Sequence, residues 1–207
     1  MSRTIDCYYY GASPFSYLGH RALQETAARH GATIAWKPVD LMEIWALSGA
    51  VPPAQRPPVR QRYRLIELQR IALHRGVELN LRPAHFPVDT TLADCCTIAL
   101  GEAGYDPAGY MERVFRGVWS DEADMGERTE IAARLEAEGF DAQAILQAAQ
   151  GDAVRAIRQA NTREAIERDA VGVPAYVVSG EVFWGQDRIE MIDEALRTAR
   201  APVSADV

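Results

Sequence analysis

The segment Ser13-Pro14-Phe15-Ser16 follows a strand-like stretch and lies where a helix is predicted to begin. Unpaired backbone N–H groups and the helix dipole at such a position favour a negative charge and lower the pKa of a thiol. A serine hydroxyl is a poor nucleophile there, and its use would be to donate a hydrogen bond to the thiolate of another molecule. The alternative is an ordinary N-cap serine followed by proline at the first helical position.

A second pattern is Gly172-Val173-Pro174, directly before another strand-like stretch. A cis peptide bond before Pro174 would expose the backbone of Val173, although a proline that merely begins a strand is the more common case. An exposed Val173 would pair its N–H and C=O with an extended peptide, as an added strand does.

The third pattern is Gln186-Asp187-Arg188, at the predicted start of the last helix. Backbone N–H groups there would bind a carboxylate, and the Asp187 side chain would accept from an ammonium group. Together they suit an amino acid zwitterion such as the γ-glutamyl end of glutathione. The alternative is that Asp187 is only an N-cap beside an exposed Arg188.

The elements that position these patterns follow the order β-α-β, a helical block, then β-β-α. Strands are predicted at residues 4–10, 32–39, 175–179 and 181–184. Helices are predicted from the turn at Pro14 to Gly31 and at 60–75, 92–103, 107–120, 129–138, 141–149, 152–169 and 187–200, the last capped by Asp187 or Gln186. The first two strands are expected to pair in parallel through a right-handed crossover. The order predicts an α/β class and a thioredoxin-like fold with a large all-helical insertion.

The expected domain division follows from that order. Residues 1–40 and 170–200 form the thioredoxin-like domain, 41–169 the inserted helical domain, and 201–207 a loose C-terminal tail.

Composition narrows the classes of partner and the compartment. The net charge of -7 argues against nucleic acid, and the arginines are interpreted mostly as solvated helix faces. No apolar run reaches the roughly 20 residues that span a bilayer, and the N-terminus lacks a secretory pattern, so a cytoplasmic protein without a membrane partner is expected. Cys7, Cys95 and Cys96 are interpreted as structural thiols, because free cysteine is most often a buried residue, and no C-x-x-C occurs. The four histidines are dispersed, so no metal site is expected.

Six motifs along the chain carry a family resemblance. In order they are SPFSYL from Ser13, RQRY from Arg60, ELQR from Glu67, Phe86-Pro87, GVP from Gly172 and WGQDR from Trp184. Their order and spacing resemble the 2-hydroxychromene-2-carboxylate isomerase family, which is related to kappa-class glutathione transferases and to the DsbA-like branch of the thioredoxin superfamily. The resemblance covers nearly the whole chain.

The resemblance implies a homodimeric, glutathione-dependent isomerase that acts on a small aromatic-derived substrate, an enone or hemiketal acid. Ser13 would hydrogen-bond the glutathione sulfur, whose transient addition to the double bond and elimination would change its geometry. The backbone of Val173, before a cis Pro174, would pair with the cysteinyl part of the tripeptide.

The remaining cofactor contacts also come from the resemblance. Gln186 and Asp187 match positions that hold the γ-glutamyl group. Arg60 stands where the family often has a lysine that reaches the glycine carboxylate, and Glu67 stands where an Asp is usual and contacts glutathione from the neighbouring subunit.

Three departures from the family pattern concern the second substrate. Tyr10 lies in the stretch where the family often has an Asp, Ala50 replaces an Asn, and Asp89 lies where Asn-Ser is usual. The alternatives that remain open are a kappa-class-like transferase that makes a stable conjugate and a binding module without turnover. A thiol–disulfide oxidoreductase is disfavoured, because Ser13 and Ser16 occupy both positions of its C-x-x-C.

Overall fold

The computed structural model describes residues 3–205 and contains one four-stranded sheet in the order β2-β1-β3-β4. Strand β1 (Arg3–Tyr9) pairs in parallel with β2 (Ala32–Pro38), as predicted, and antiparallel with β3 (Ala175–Val178). Strand β4 (Glu181–Trp184) pairs antiparallel with β3. The four predicted strands are therefore confirmed to within one residue at each end, and the thioredoxin-like class with them.

Helix α1 (Pro14–His30) connects β1 to β2. Its N-cap is Ser13, whose hydroxyl oxygen accepts a hydrogen bond from the Ser16 N–H at 3.2 Å. Gly31, in the left-handed conformation with φ 57°, ends the helix. The register of the sheet brings the carboxyl end of β1, where α1 begins, beside the start of β3.

Eight further helices occur in the described residues. They are α2 (Leu41–Ser48), α3 (Pro58–Arg75), α4 (Thr91–Glu102), α5 (Ala108–Trp119), α6 (Arg128–Ala137), α7 (Ala142–Ala149), α8 (Asp152–Glu167) and α9 (Ile189–Thr198). Short 3-10 turns lie at Pro53–Gln55 and Gln186–Arg188. All of α2 to α8 lie between β2 and β3, so the all-helical insertion is confirmed.

Two local predictions need correction. Helix α2 was not predicted, although Asp40 caps it by accepting from Met42 N–H at 2.9 Å and from Glu43 N–H at 3.4 Å. The last α-helix begins at Ile189, and neither Gln186 nor Asp187 caps it with a side chain, because both lie in the preceding 3-10 turn.

The largest hydrophobic core lies between the sheet and the inserted helices. It joins side chains of β1 and α1 to those of α4, α5, α6 and α7, and the fully buried Trp119 and Tyr110 are among its largest. The division into two domains stays a prediction, because this one cluster contains side chains from both parts. Over residues 3–205 no helix is both long enough and apolar enough to cross a membrane.

Candidate functional site

A cavity of about 530 Å³ lies at the sheet edge where β1 and β2 end. Its walls come from the start of α1, from α2 and α3, from the loop before α4 and from the loop before β3. The register pairs Tyr9 with Pro38 and Ala175 with Trp184 at this edge, so all four strands position the cavity. Among the residues that line it there is no cysteine.

Ser13 lies in the cavity wall and is 94% buried, with 6% of its surface exposed. Its oxygen accepts from the Ser16 N–H, while its own hydroxyl proton has no acceptor among residues 3–205. The hydroxyl therefore lies at a helix N-terminus with its proton available to an anion in the cavity. The Ser16 hydroxyl is buried and does not line the cavity.

Val173 also lines the cavity, and its peptide bond to Pro174 is cis, as the resemblance implied. Neither the N–H nor the C=O of Val173 has a hydrogen-bond partner in the described part of the chain. The preceding Gly172 lies against two indoles, since a Cβ there would be 3.0 Å from Trp184 Nε1 and 3.5 Å from Trp45 Nε1. A free backbone donor and acceptor thus sit beside two aromatic rings.

The other predicted cofactor residues are spread around this cavity. Arg60 lines it, is exposed and forms no ion pair in residues 3–205. Glu67 lies two turns further along α3, outside the cavity lining, and pairs with Arg70.

Gln186 and Asp187 follow Trp184 in the chain and do not line the cavity. The buried Gln186 accepts from Arg75 Nε at 3.3 Å through its side chain, and its backbone carbonyl accepts from the same guanidinium at 3.1 Å. The Asp187 carboxylate is largely exposed and pairs with Arg188 at 3.1 Å.

The three departures from the family pattern all line the same cavity. The Tyr10 hydroxyl donates to the Val88 carbonyl at 3.0 Å, and the Asp89 carboxylate accepts from the Thr91 N–H at 2.9 Å. Ala50 lies in the loop after α2. The two polar replacements are therefore held by local bonds in the wall.

Three further cavity arginines, Arg56, Arg64 and Arg158, were missed by the sequence interpretation. The reading of most arginines as solvated faces is wrong for these side chains, each of which is partly buried. The four-residue spacing of Arg60 and Arg64 on α3 is the signal that indicates one helix face, whereas Arg56 precedes the helix.

Asp94 on α4 lies beneath the loop that carries Ser13 and is fully buried. Its Oδ2 accepts from the Gly11 N–H at 3.3 Å and from the Thr90 hydroxyl at 3.4 Å. Burial raises the pKa of Asp94 to about 7, although those hydrogen bonds and the charge of Arg158 act in the opposite direction. The carboxyl group thus holds the loop in place from below.

Comparison with known proteins gives a consistent result. Residues 4–197 match the model of the DSBA-like thioredoxin domain family. A 2-hydroxychromene-2-carboxylate isomerase of Pseudomonas sp. (strain C18) is 30% identical over 98% of this chain and 93% of its own. Another, from Sphingobium xenophagum, is 28% identical over 95% of this chain and 99% of its own. A solved structure of a 2-hydroxychromene-2-carboxylate isomerase superposes with a TM-score of 0.82 at 29% identity, covering 95% of both chains.

Proposed function

Because the chain belongs to the DsbA-like thioredoxin family and, within it, to the 2-hydroxychromene-2-carboxylate isomerase family, we propose that it is a glutathione-dependent isomerase. Its substrate would be an aromatic-derived enone or hemiketal acid. Bound glutathione would supply the thiolate that adds to the conjugated double bond and leaves after rotation.

The observation that carries the proposal is the free hydroxyl proton of Ser13 in a cavity without a cysteine. The N–H of Ser16 holds the Ser13 oxygen in place, and the hydroxyl proton can turn to donate to a thiolate in the cavity. The start of α1 adds its dipole to the same anion. These groups suit a thiolate supplied by glutathione. The Ser13 hydroxyl itself has no adjacent base that would make it a nucleophile.

The other proposed contacts each bind a different part of glutathione. The unpaired N–H and C=O of Val173 suit the cysteinyl backbone, and the exposed, unpaired Arg60 suits the glycine carboxylate. Gln186 and Asp187 are the proposed contacts of the γ-glutamyl group.

The test of this function is Ser13→Ala, which removes one preorganised donor from the developing anion. We expect glutathione-dependent turnover of 2-hydroxychromene-2-carboxylate to fall roughly 100- to 1000-fold, as for loss of an oxyanion-hole donor. Ser16→Ala is the matched control and should stay within about threefold of the wild type, because its hydroxyl does not reach the cavity. Unchanged turnover in Ser13→Ala, or no calorimetric heat of glutathione binding to the wild type, contradicts the proposal.

A kappa-class-like conjugating transferase is the second candidate function. Tyr10, Ala50 and Asp89 depart from the isomerase pattern and line the cavity, so they concern the second substrate and not the glutathione that both functions share. The two functions differ in product mass: an isomerase releases a product of the substrate's own mass, and a transferase releases a thioether heavier by one glutathione.

We also propose that the protein is a homodimer whose contact is the outer face of α3, formed by Val59, Tyr63, Ile66 and Leu73. All four are exposed, Leu73 to 84%. Their spacing of four, three and seven residues places them on one stripe of the helix. Glu67 lies on the same helix, and its proposed contact is to glutathione in the partner's cavity.

A further inference from the structure

The cavity contains more unpaired positive charge than bound glutathione needs. Arg56, Arg60 and Arg64 all line it, and none forms an ion pair within residues 3–205. Arg56 is partly satisfied, since its Nε donates to the Val51 carbonyl at 2.9 Å and its guanidinium lies 5.5 Å from the Trp45 ring. Arg60 is exposed to water.

Arg64 differs from both neighbours because it is half-buried and has no hydrogen-bond acceptor in the described residues. Its guanidinium carbon lies 6.0 Å from the centroid of the Phe86 ring. Burial, with the nearby charge of Arg56, lowers the pKa of Arg64 to about 10. The half-buried guanidinium keeps contact with the cavity solvent but lacks a protein acceptor within residues 3–205, and an anion brought in by a ligand would supply one.

Arg158 on α8 already has polar partners at both terminal nitrogens, whereas its Nε is buried without one within residues 3–205. It lies 3.7 Å from the Asp40 carboxylate and donates to the Val39 carbonyl at 3.1 Å. Of the four arginines in the lining, Arg64 thus combines burial with the lack of any polar partner.

Under the proposed function, on which this step rests, the two carboxylates of glutathione have other partners: Arg60 and the segment at Gln186 and Asp187. We propose that Arg64 binds the carboxylate of the second substrate and makes the site specific for flat, aromatic-derived acids. The planar guanidinium suits a bidentate pair with a carboxylate, and Phe86 beside it supplies an apolar surface for the ring of the same molecule. Phe86 is itself supported by Trp119, at 4.8 Å between ring centroids.

The test uses two stable analogues, chromone-2-carboxylate and its neutral carboxamide, titrated calorimetrically into the protein saturated with glutathione. The wild type should bind the acid more tightly than the amide. Arg64→Gln should weaken binding of the acid roughly 10- to 100-fold, which is typical for loss of a charged hydrogen-bonded pair. Binding of the amide should change by less than about threefold.

Arg62→Gln is the matched control, because Arg62 lies on the same helix, is exposed and does not line the cavity. It changes the net charge equally and should leave both affinities unaltered. Arg64→Lys retains the charge and loses the planar fork, so it should recover only part of the affinity for the acid.

Three results would overturn the inference. They are equal affinity of the wild type for acid and amide, equal weakening of both analogues by Arg64→Gln, and loss of glutathione affinity in that variant. The first needs no variant, so it stands even if a substitution at Arg64 impairs folding. Failure of the proposed function is separate, since the wild type would then give no heat with glutathione alone.

Discussion

At the scale of single residues, burial shifts the pKa values of two titratable side chains, His20 and Asp94, in opposite directions. His20 on α1 is 98% buried, with 2% exposed, and its Nε2–H donates to the Ala108 carbonyl at 3.0 Å. Burial lowers the pKa of His20 from its ordinary 6.5 to about 4, although that carbonyl and the charge of Asp106 act the other way. Glu112 lies 4.0 Å from the same nitrogen. Asp94 has the opposite shift, from 3.8 to about 7.

These shifts predict opposite contributions to stability with pH. As pH falls from 6.5 to 4, the unfolded chain gains a proton at His20 that the folded chain does not, so the folded state loses roughly 3 kcal/mol. As pH rises from 3.8 to 7, the unfolded chain loses the Asp94 proton first, which also destabilises the folded state. Relative to the wild type, His20→Gln should therefore gain stability towards low pH and Asp94→Asn towards neutral pH.

Urea unfolding at pH 4.5, 5.5 and 7 measures both trends. Each variant is compared with the wild type at the same pH, which removes contributions from all other groups. Parallel curves for variant and wild type would mean that the side chain titrates alike in both states.

The sequence predicted the single residues of the site unevenly. The prediction succeeded for Ser13, Val173 and Arg60, which all line the cavity. The order of the motifs identified the loops that meet at this edge of a thioredoxin-like sheet. Arg64 and Arg158 were missed, since an arginine inside a helical pattern gives no sign of which neighbour covers it. Their burial depends on the packing of α3 and α8 around the cavity, which is a tertiary property.

At the scale of elements, α1 is held close to the segment that follows β4. A Cβ at Gly19 would lie 2.8 Å from both the Tyr176 hydroxyl oxygen and Gln186 Cβ. The glycine therefore permits an approach that any side chain would prevent, and it fixes α1 beside the Gln186 turn.

Two glycine variants separate close packing from helix propensity. Gly19→Ala should destabilise the protein by about 1–3 kcal/mol, because overpacking outweighs the better helix propensity of alanine. Gly101→Ala on α4, where a Cβ meets nothing within 4 Å, should instead stabilise it by about 0.5–1 kcal/mol. Thermal and urea unfolding of both variants give the signs, and stabilisation by Gly19→Ala would show that α1 has room to move.

Element boundaries were predicted well where caps are local and poorly where they are not. Gly31 and the Gly180 turn have positive φ values, which glycine adopts readily, and both ended elements as expected. Helix α2 has only eight residues and few polar positions, so its periodicity was weak, although Asp40 and Glu43 resemble a capping pair. The start of α9 was placed too early because a 3-10 turn precedes it.

At the scale of the whole molecule, the outer face of α3 exposes a stripe of large apolar side chains that no other part of residues 3–205 covers. Ile66 lies near its middle and is 47% exposed. Burial of such a stripe against a second copy would remove apolar surface from water, and the two α3 helices would lie side by side.

Ile66→Glu should convert the proposed homodimer to a monomer, because a carboxylate buried in an apolar contact is strongly unfavourable. Multi-angle light scattering at micromolar concentration measures the mass directly. Met191→Glu on α9, half exposed on a different helix, is the control and should remain dimeric. A wild type that elutes with the 22.9 kDa mass of one chain would refute the dimer.

All three cysteines of the sequence are free thiols in the interior, and burial raises the pKa of each, that of Cys96 to about 12. Thiol-directed alkylating reagents and peroxides attack ionised, accessible thiols, so these three cysteines offer them no target. Oxidation of its own cysteines is therefore not expected to inactivate the enzyme. Under the proposed function, its rate during oxidative stress instead follows the cellular supply of reduced tripeptide.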